Sequence, residues 1–137
     1  MNLNIYFQAF TVRTWRKRLS NLNTFLTPHI YWGIHIKICV NYNQHNEDAI
    51  TLAQEFAHEG KPIAAICHGA WLLVNAGLVA GKTAAPCRYI AADIENAGGH
   101  YVDEQLHVDD ANGFKLITSR KPDDLDYFVD AIKDALK

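Results

Sequence analysis

Near the middle of the 137-residue chain stands the stretch Lys61-Pro62-Ile63-Ala64-Ala65-Ile66-Cys67-His68-Gly69-Ala70-Trp71-Leu72-Leu73. Residues 62–66 form a short apolar run, which is typical of a strand buried on both faces of a parallel sheet. Residues 68–76 have the apolar spacing of a helix, and Gly77 supplies a residue type that commonly ends one. The stretch therefore predicts a strand, a sharp turn and a helix, with Cys67 at the turn.

Cys67 has the placement of a nucleophile in a strand–turn–helix elbow. At the start of a helix, the helix dipole and free backbone N–H groups favour a thiolate over a thiol. The adjacent His68 offers a general base or a proton shuttle. A buried structural cysteine is the alternative, because free cysteines are among the most buried residues in proteins.

The composition is that of one globular domain, with 49% hydrophobic and 20% charged residues. No apolar run approaches the ~20 residues of a membrane span, so we expect no membrane partner. The net charge of −2 gives no argument for a nucleic-acid partner. Three cysteines make no disulfide framework, which favours a reducing cytoplasm.

The charge distribution divides the chain near residue 46. Residues 1–46 contain five Lys and Arg but no Asp or Glu, whereas all fifteen acids lie in 47–137. We therefore expect 1–45 to be an atypical N-terminal segment that is truncated, diverged or translated out of frame. A basic arm for nucleic acid and an Arg-bearing transit peptide are weaker explanations.

From Asn46 onward the pattern alternates between helices and strands. The apolar spacing predicts helices over 46–59, 89–97 and from Pro122 to the C-terminus. Short strands are expected at 82–85, 100–102, 106–108 and 114–118, with an Asn-Gly turn at 109–113. This alternation predicts an α/β domain whose sites lie at the carboxyl ends of parallel strands, where Cys67 falls.

Several ordered motifs resemble the ThiJ/PfpI family, which has a class I glutamine-amidotransferase-like fold. They are Ala65-Ile66-Cys67-His68-Gly69, Asn96-Ala97-Gly98-Gly99, Val102-Asp103-Glu104 and the run from Ile117 to Leu125. The resemblance covers about 46–137. It implies a three-layer sandwich with a mainly parallel, flavodoxin-like sheet, whose N-terminal strands are missing or altered here. It also implies Cys67 and His68 as catalytic residues.

The resemblance implies a cysteine-dependent hydrolase or lyase, of the intracellular peptidase or amidase type or the glyoxalase or deglycase type. Its substrate would be a small carbonyl compound, a peptide or a protein. No metal or organic cofactor is implied, and a homo-oligomer is expected.

The family's first-strand glutamate and Gly-Gly loop have no matching position in this sequence. The alternative is therefore a catalytically impaired paralogue that acts as a redox-responsive or chaperone-like stress protein.

The remaining candidate residues have weaker signals. Cys39 and Cys87 are interpreted as spectators. His35 and Cys39 have metal-like spacing without further ligands. His100 and His107 are interpreted as surface or packing residues.

Overall fold

The computed structural model describes residues 47–137. The atypical segment 1–45, with His35 and Cys39, lies outside the described residues, and the division at residue 46 stays a prediction. The described part contains four α-helices and five strands. In chain order they are α1 Glu47–His58, β1 Ile63–Ile66, α2 Ala70–Asn75, β2 Thr83–Ala84, α3 Ala91–Asn96, β3 His100–Tyr101, β4 His107–Asp109, β5 Leu116–Ser119 and α4 Leu125–Ala135.

The strands form two sheets. β1 pairs with β5 in parallel, with Ile63 opposite Leu116 and Ile66 opposite Ser119. β4 pairs with β5 in antiparallel orientation, whereas β2 and β3 form a separate parallel pair. Since β1 and β5 run in the same direction, the residues that follow them leave the sheet at the same edge.

The strand pattern explains why the helices lie on both faces of this sheet. All four residues of β1 are buried, and they alternate between two hydrophobic clusters. One cluster joins Ile63 and Ala65 to α1, α2 and α3, and the other joins Ala64 and Ile66 to α4. The predicted three-layer α/β sandwich with mainly parallel pairing is therefore present in the described residues.

Several predicted helices begin later than expected because a 3-10 turn precedes them. Such turns cover Cys67–Gly69, Arg88–Ile90 and Pro122–Asp124. The predicted strands near 100 and 107 are both present but belong to different sheets. In residues 47–137, no helix is long and apolar enough to cross a membrane.

Lys82 is a fully buried cation that connects β2 to the β4–β5 turn. Its side chain is 0% exposed, and its Nζ lies 3.3 Å from Asp109 Oδ1 and 2.8 Å from the Phe114 carbonyl oxygen. It also donates to the Ala111 carbonyl and lies 4.0 Å from the Phe114 ring centroid. These partners replace the water that the ammonium group loses on burial.

We expect Lys82→Met to lower the free energy of unfolding by roughly 3–5 kcal/mol, because it leaves the partly buried Asp109 carboxylate without its counter-ion. Urea unfolding monitored by circular dichroism measures the change. Lys121→Met is the matched control, since Lys121 is 55% exposed in its pair with Asp123 and should cost less than ~1 kcal/mol. Equal losses in the two variants would contradict the structural role of Lys82.

Candidate active site

Cys67 lies at a sharp reversal of the backbone. Ile66 is extended, with φ −119° and ψ 142°, and the next residue, Cys67, has a φ of 57°. A non-glycine residue in this left-handed region costs roughly 1–2 kcal/mol. Such strain is typical of a strand–turn–helix elbow that presents a reactive side chain. The strand, turn and helix predicted around Cys67 are therefore present.

Two neighbouring residues, Cys87 and His68, act on the Cys67 sulfur. The Cys87 thiol contributes most to lowering the pKa of Cys67, to about 6, and burial of the sulfur opposes this effect. His68 lowers the pKa further through its charge, its ring and its backbone N–H. The distance from Cys67 Sγ to His68 Nδ1 is 3.2 Å. Near neutral pH this arrangement favours a thiolate at Cys67.

The structure places Cys87, which the sequence analysis interpreted as a spectator, within 4.8 Å of Cys67 and His68. The side chain is buried, and its backbone N–H donates to the Cys67 carbonyl at 3.4 Å. Its hydrogen bond to Cys67, followed by burial and the charge on Cys67, raises the pKa of Cys87. The two sulfurs thus form an unequal pair, in which Cys67 ionises and Cys87 keeps its proton.

The His68 ring lies between two aromatic side chains. Its centroid is 5.2 Å from that of Trp71 and 6.3 Å from that of Tyr89, which is stacked with an interplanar angle of 5°. Trp71 is oriented by a 2.7 Å hydrogen bond from its Nε1 to Asp93 Oδ2. Tyr89 is 80% exposed, so its ring forms an accessible wall beside His68.

Arg120 lies at the same end of the sheet as Cys67, just after the carboxyl end of β5. Ser119 is opposite Ile66, so Arg120 and Cys67 both follow paired strand ends. Arg120 binds Asp124 at 3.0 Å and Asp103 at 2.8 Å, and these bonds raise the pKa of its guanidinium. Asp103 lies in the connection between β3 and β4, and this ion pair ties that connection to the end of β5.

Sequence reasoning identified Cys67 and His68 but missed Cys87, Trp71 and Tyr89 as neighbours. The position of Cys87 three residues after β2 was an available signal, since sites in α/β proteins collect residues that follow strands. The side chains of His100 and His107, which were interpreted as surface or packing residues, are 70% and 26% exposed. They are near Glu95 and Glu104, at 3.6 and 2.9 Å.

The donor atoms of Cys67, His68 and Cys87 all lie within 4.8 Å of one another. Among residues 47–137, these three side chains lie close enough together to hold a metal ion. A structural zinc site generally uses four protein ligands, and this group supplies three. The expectation that the protein uses no metal and no organic cofactor stays a prediction.

The DJ-1/PfpI family model matches residues 39–135 of the chain. "Protein/nucleic acid deglycase 2" of Escherichia coli is 39% identical over 79 residues, which are 58% of this chain and 44% of that protein. "Deglycase PfpI" of Pyrococcus furiosus is 38% identical over 80 residues, 58% of this chain and 46% of that protein.

Among solved structures, a two-domain protein of Anabaena variabilis contains DJ-1/ThiJ/PfpI-like and ferritin-like domains. It superposes with a TM-score of 0.66 at 40% identity, covering 72% of this chain and 27% of that one. The alignments with the deglycases span less than half of those relatives. The fold and family predicted from the sequence are confirmed, and the chain belongs to the DJ-1/PfpI family.

Proposed function

We propose that this chain has a deglycase-type or glyoxalase-type activity on small carbonyl compounds, with Cys67 as the nucleophile and His68 as its proton partner. One observation carries the proposal: the Cys67 sulfur sits on a strained elbow within 3.2 Å of His68 Nδ1. The deglycase names of the two relatives support the deglycase type of activity. A cysteine hydrolase that cleaves peptides or amides would need the same nucleophile.

The first step is addition of the thiolate to a carbonyl carbon. A sulfur–carbon bond forms, the carbonyl π electrons move to oxygen, and the oxygen takes a proton to give a hemithioacetal. The His68 ring is close enough to Cys67 to exchange that proton, either directly or through one water. The backbone N–H of the residue after an elbow nucleophile commonly stabilises the developing oxyanion, which assigns that role to His68.

The neighbours of His68 support this assignment of roles. Trp71 and Tyr89 flank the imidazole, and the bond from Trp71 to Asp93 fixes one of these two rings. A ring held in this way loses little freedom when it transfers a proton. The exposed Tyr89 ring would give an apolar carbonyl substrate a surface beside the thiolate.

A redox-responsive protein without turnover is the second candidate. It is favoured by the contact of Cys67 with a second thiol, Cys87, because the same low pKa that activates a nucleophile also makes a thiol sensitive to oxidants. Homo-oligomer formation and a cytoplasmic location stay predictions.

Alkylation of Cys67 by iodoacetamide should follow its thiolate, rising with pH through a midpoint near 6 and levelling above about 7, because the pKa of Cys67 is lowered to about 6. Cys87 should react more slowly across this range. Cys87→Ala should move the Cys67 midpoint upward because the largest stabilising donor is lost. Cys87→Ser, which keeps an O–H donor, should move it less.

Peptide-resolved mass spectrometry of the native protein gives both rates over the pH series. Equal midpoints in wild type, Cys87→Ala and Cys87→Ser would mean that Cys87 does not stabilise the Cys67 thiolate. A Cys67 that labels no faster than Cys87 would leave the structural-cysteine interpretation in place.

Methylglyoxal consumption by the folded protein should fall on the order of 10³-fold or more in Cys67→Ser, because the attacking sulfur is removed. Lys121→Met is the matched control and should retain wild-type turnover, since Lys121 lies in an exposed ion pair. Near-UV circular dichroism verifies that each variant is folded. A folded wild type without turnover would refute this activity and favour the second candidate.

A further inference from the structure

We propose that Cys87 is a resolving cysteine for Cys67, so that a hydroperoxide converts the pair into an intramolecular disulfide that a dithiol reverses. The inference uses the same Cys67 sulfur as the proposed function, but it requires no turnover of a carbonyl substrate. Cys87 takes no covalent part in the proposed addition to a carbonyl. The inference therefore assigns it a separate chemical role.

The backbone geometry suits such a bond. Disulfide-linked residues have Cα atoms ~5.5–6 Å apart, so their main chains must approach closely. The N–H of Cys87 donates directly to the Cys67 carbonyl at 3.4 Å, which brings the two main chains into contact. The two sulfurs lie within 4.8 Å of each other. A disulfide of ~2.05 Å would require the two sulfurs to move closer together from this starting distance.

The two sulfurs differ in exposure in the way that the reaction needs. Cys67 is partly exposed, whereas Cys87 is buried with a relative exposure of 7%. A hydroperoxide therefore meets Cys67 first, and that sulfur also carries the negative charge that attacks the O–O bond. Cys87 is shielded from the oxidant but remains next to the atom that becomes oxidised.

The first step oxidises Cys67. Its thiolate attacks the terminal oxygen of the hydroperoxide, the O–O bond breaks, and the departing alkoxide or hydroxide takes a proton from solvent. The products are a sulfenic acid at Cys67 and an alcohol or water. In the second step the Cys87 sulfur attacks the Cys67 sulfur, the S–O bond breaks, and hydroxide leaves with the Cys87 proton as water.

Oxidation of Cys67 changes the surroundings of Cys87 in a way that makes the Cys87 thiol easier to ionise. In the reduced protein, the hydrogen bond to Cys67 and its negative charge contribute to a raised pKa of Cys87. A neutral sulfenic acid removes that charge. Burial still raises the pKa of Cys87, whereas the backbone N–H groups of Tyr89 and Ile90 lower it, so the pKa falls relative to the reduced protein. Cys87 is thus a poor nucleophile before Cys67 is oxidised and a better one afterwards.

Capture by Cys87 has a direct consequence for the fate of Cys67. A sulfenic acid without a resolving thiol proceeds to sulfinic acid, which dithiols do not reduce. A disulfide is reversed by exchange, in which a dithiol gives up two hydrogens and both cysteines return as thiols. The pair would therefore protect the nucleophile and switch its chemistry off reversibly during oxidation.

The test is treatment of the reduced full chain with hydrogen peroxide, followed by alkylation and non-reducing peptide mapping. We expect one linked pair of peptides, containing Cys67 and Cys87, with a mass two hydrogens below the sum of the free peptides. Dithiothreitol should restore both thiols. In Cys87→Ser, dimedone should trap a sulfenic acid at Cys67, and excess peroxide should convert it to sulfinic acid.

Cys39→Ser is the matched control, because it removes the third thiol and should form the same disulfide as wild type. Two results would overturn the inference. One is sulfinic acid forming at Cys67 equally fast in wild type and Cys87→Ser, and the other is a Cys67 linkage to Cys39 instead. Peptide mapping uses no carbonyl substrate. The disulfide can therefore be confirmed or refuted whether or not the protein consumes methylglyoxal.

Discussion

The left-handed backbone at Cys67 is the constraint on which the site depends. β1 is buried on both faces and must end where the sheet ends, and the chain must then turn back into α2. A φ of 57° accomplishes this turn within one residue. Because the turn is so tight, the Cys67 sulfur lies beside the His68 ring and backbone N–H and opposite the loop that carries Cys87. The strained turn thus fixes the position of the Cys67 thiolate relative to the groups that stabilise it.

The pKa of Cys67 is lowered and that of Cys87 is raised, and this asymmetry connects the two chemistries of the site. Cys87 lies within 4.8 Å of the Cys67 sulfur and lowers its pKa, so the negative charge stays on the more exposed sulfur. Attack on a carbonyl uses that charge while Cys87 remains a donor. Attack on a hydroperoxide uses the same charge, but Cys87 then becomes the partner in a bond. The attacking group is the same in both reactions, and the difference lies in what Cys87 does next.

Local sequence patterns could predict the elbow, because a buried apolar run, a cysteine and a helical pattern follow one another within residues 61–76. The role of Cys87 depends instead on a contact between segments twenty residues apart, which no local periodicity encodes. Lys82 was equally hidden, since a lysine in a short strand is normally exposed, and its burial depends on Asp109 and on carbonyls of a distant turn. The late helix starts reflect 3-10 turns, which helical spacing does not distinguish from α-helix.

Replacement of Cys67 by glycine and by alanine tests the backbone constraint most directly, because both variants delete the thiol and differ chiefly in the cost of a positive φ. Urea unfolding should show Cys67→Gly to be more stable than Cys67→Ala by about 1 kcal/mol. Ala91 has a helical φ of −55°, and Ala91→Gly should show the opposite order, a loss of about 1 kcal/mol. If Cys67→Ala is as stable as Cys67→Gly or more stable, the elbow is not strained and the account of the site is wrong.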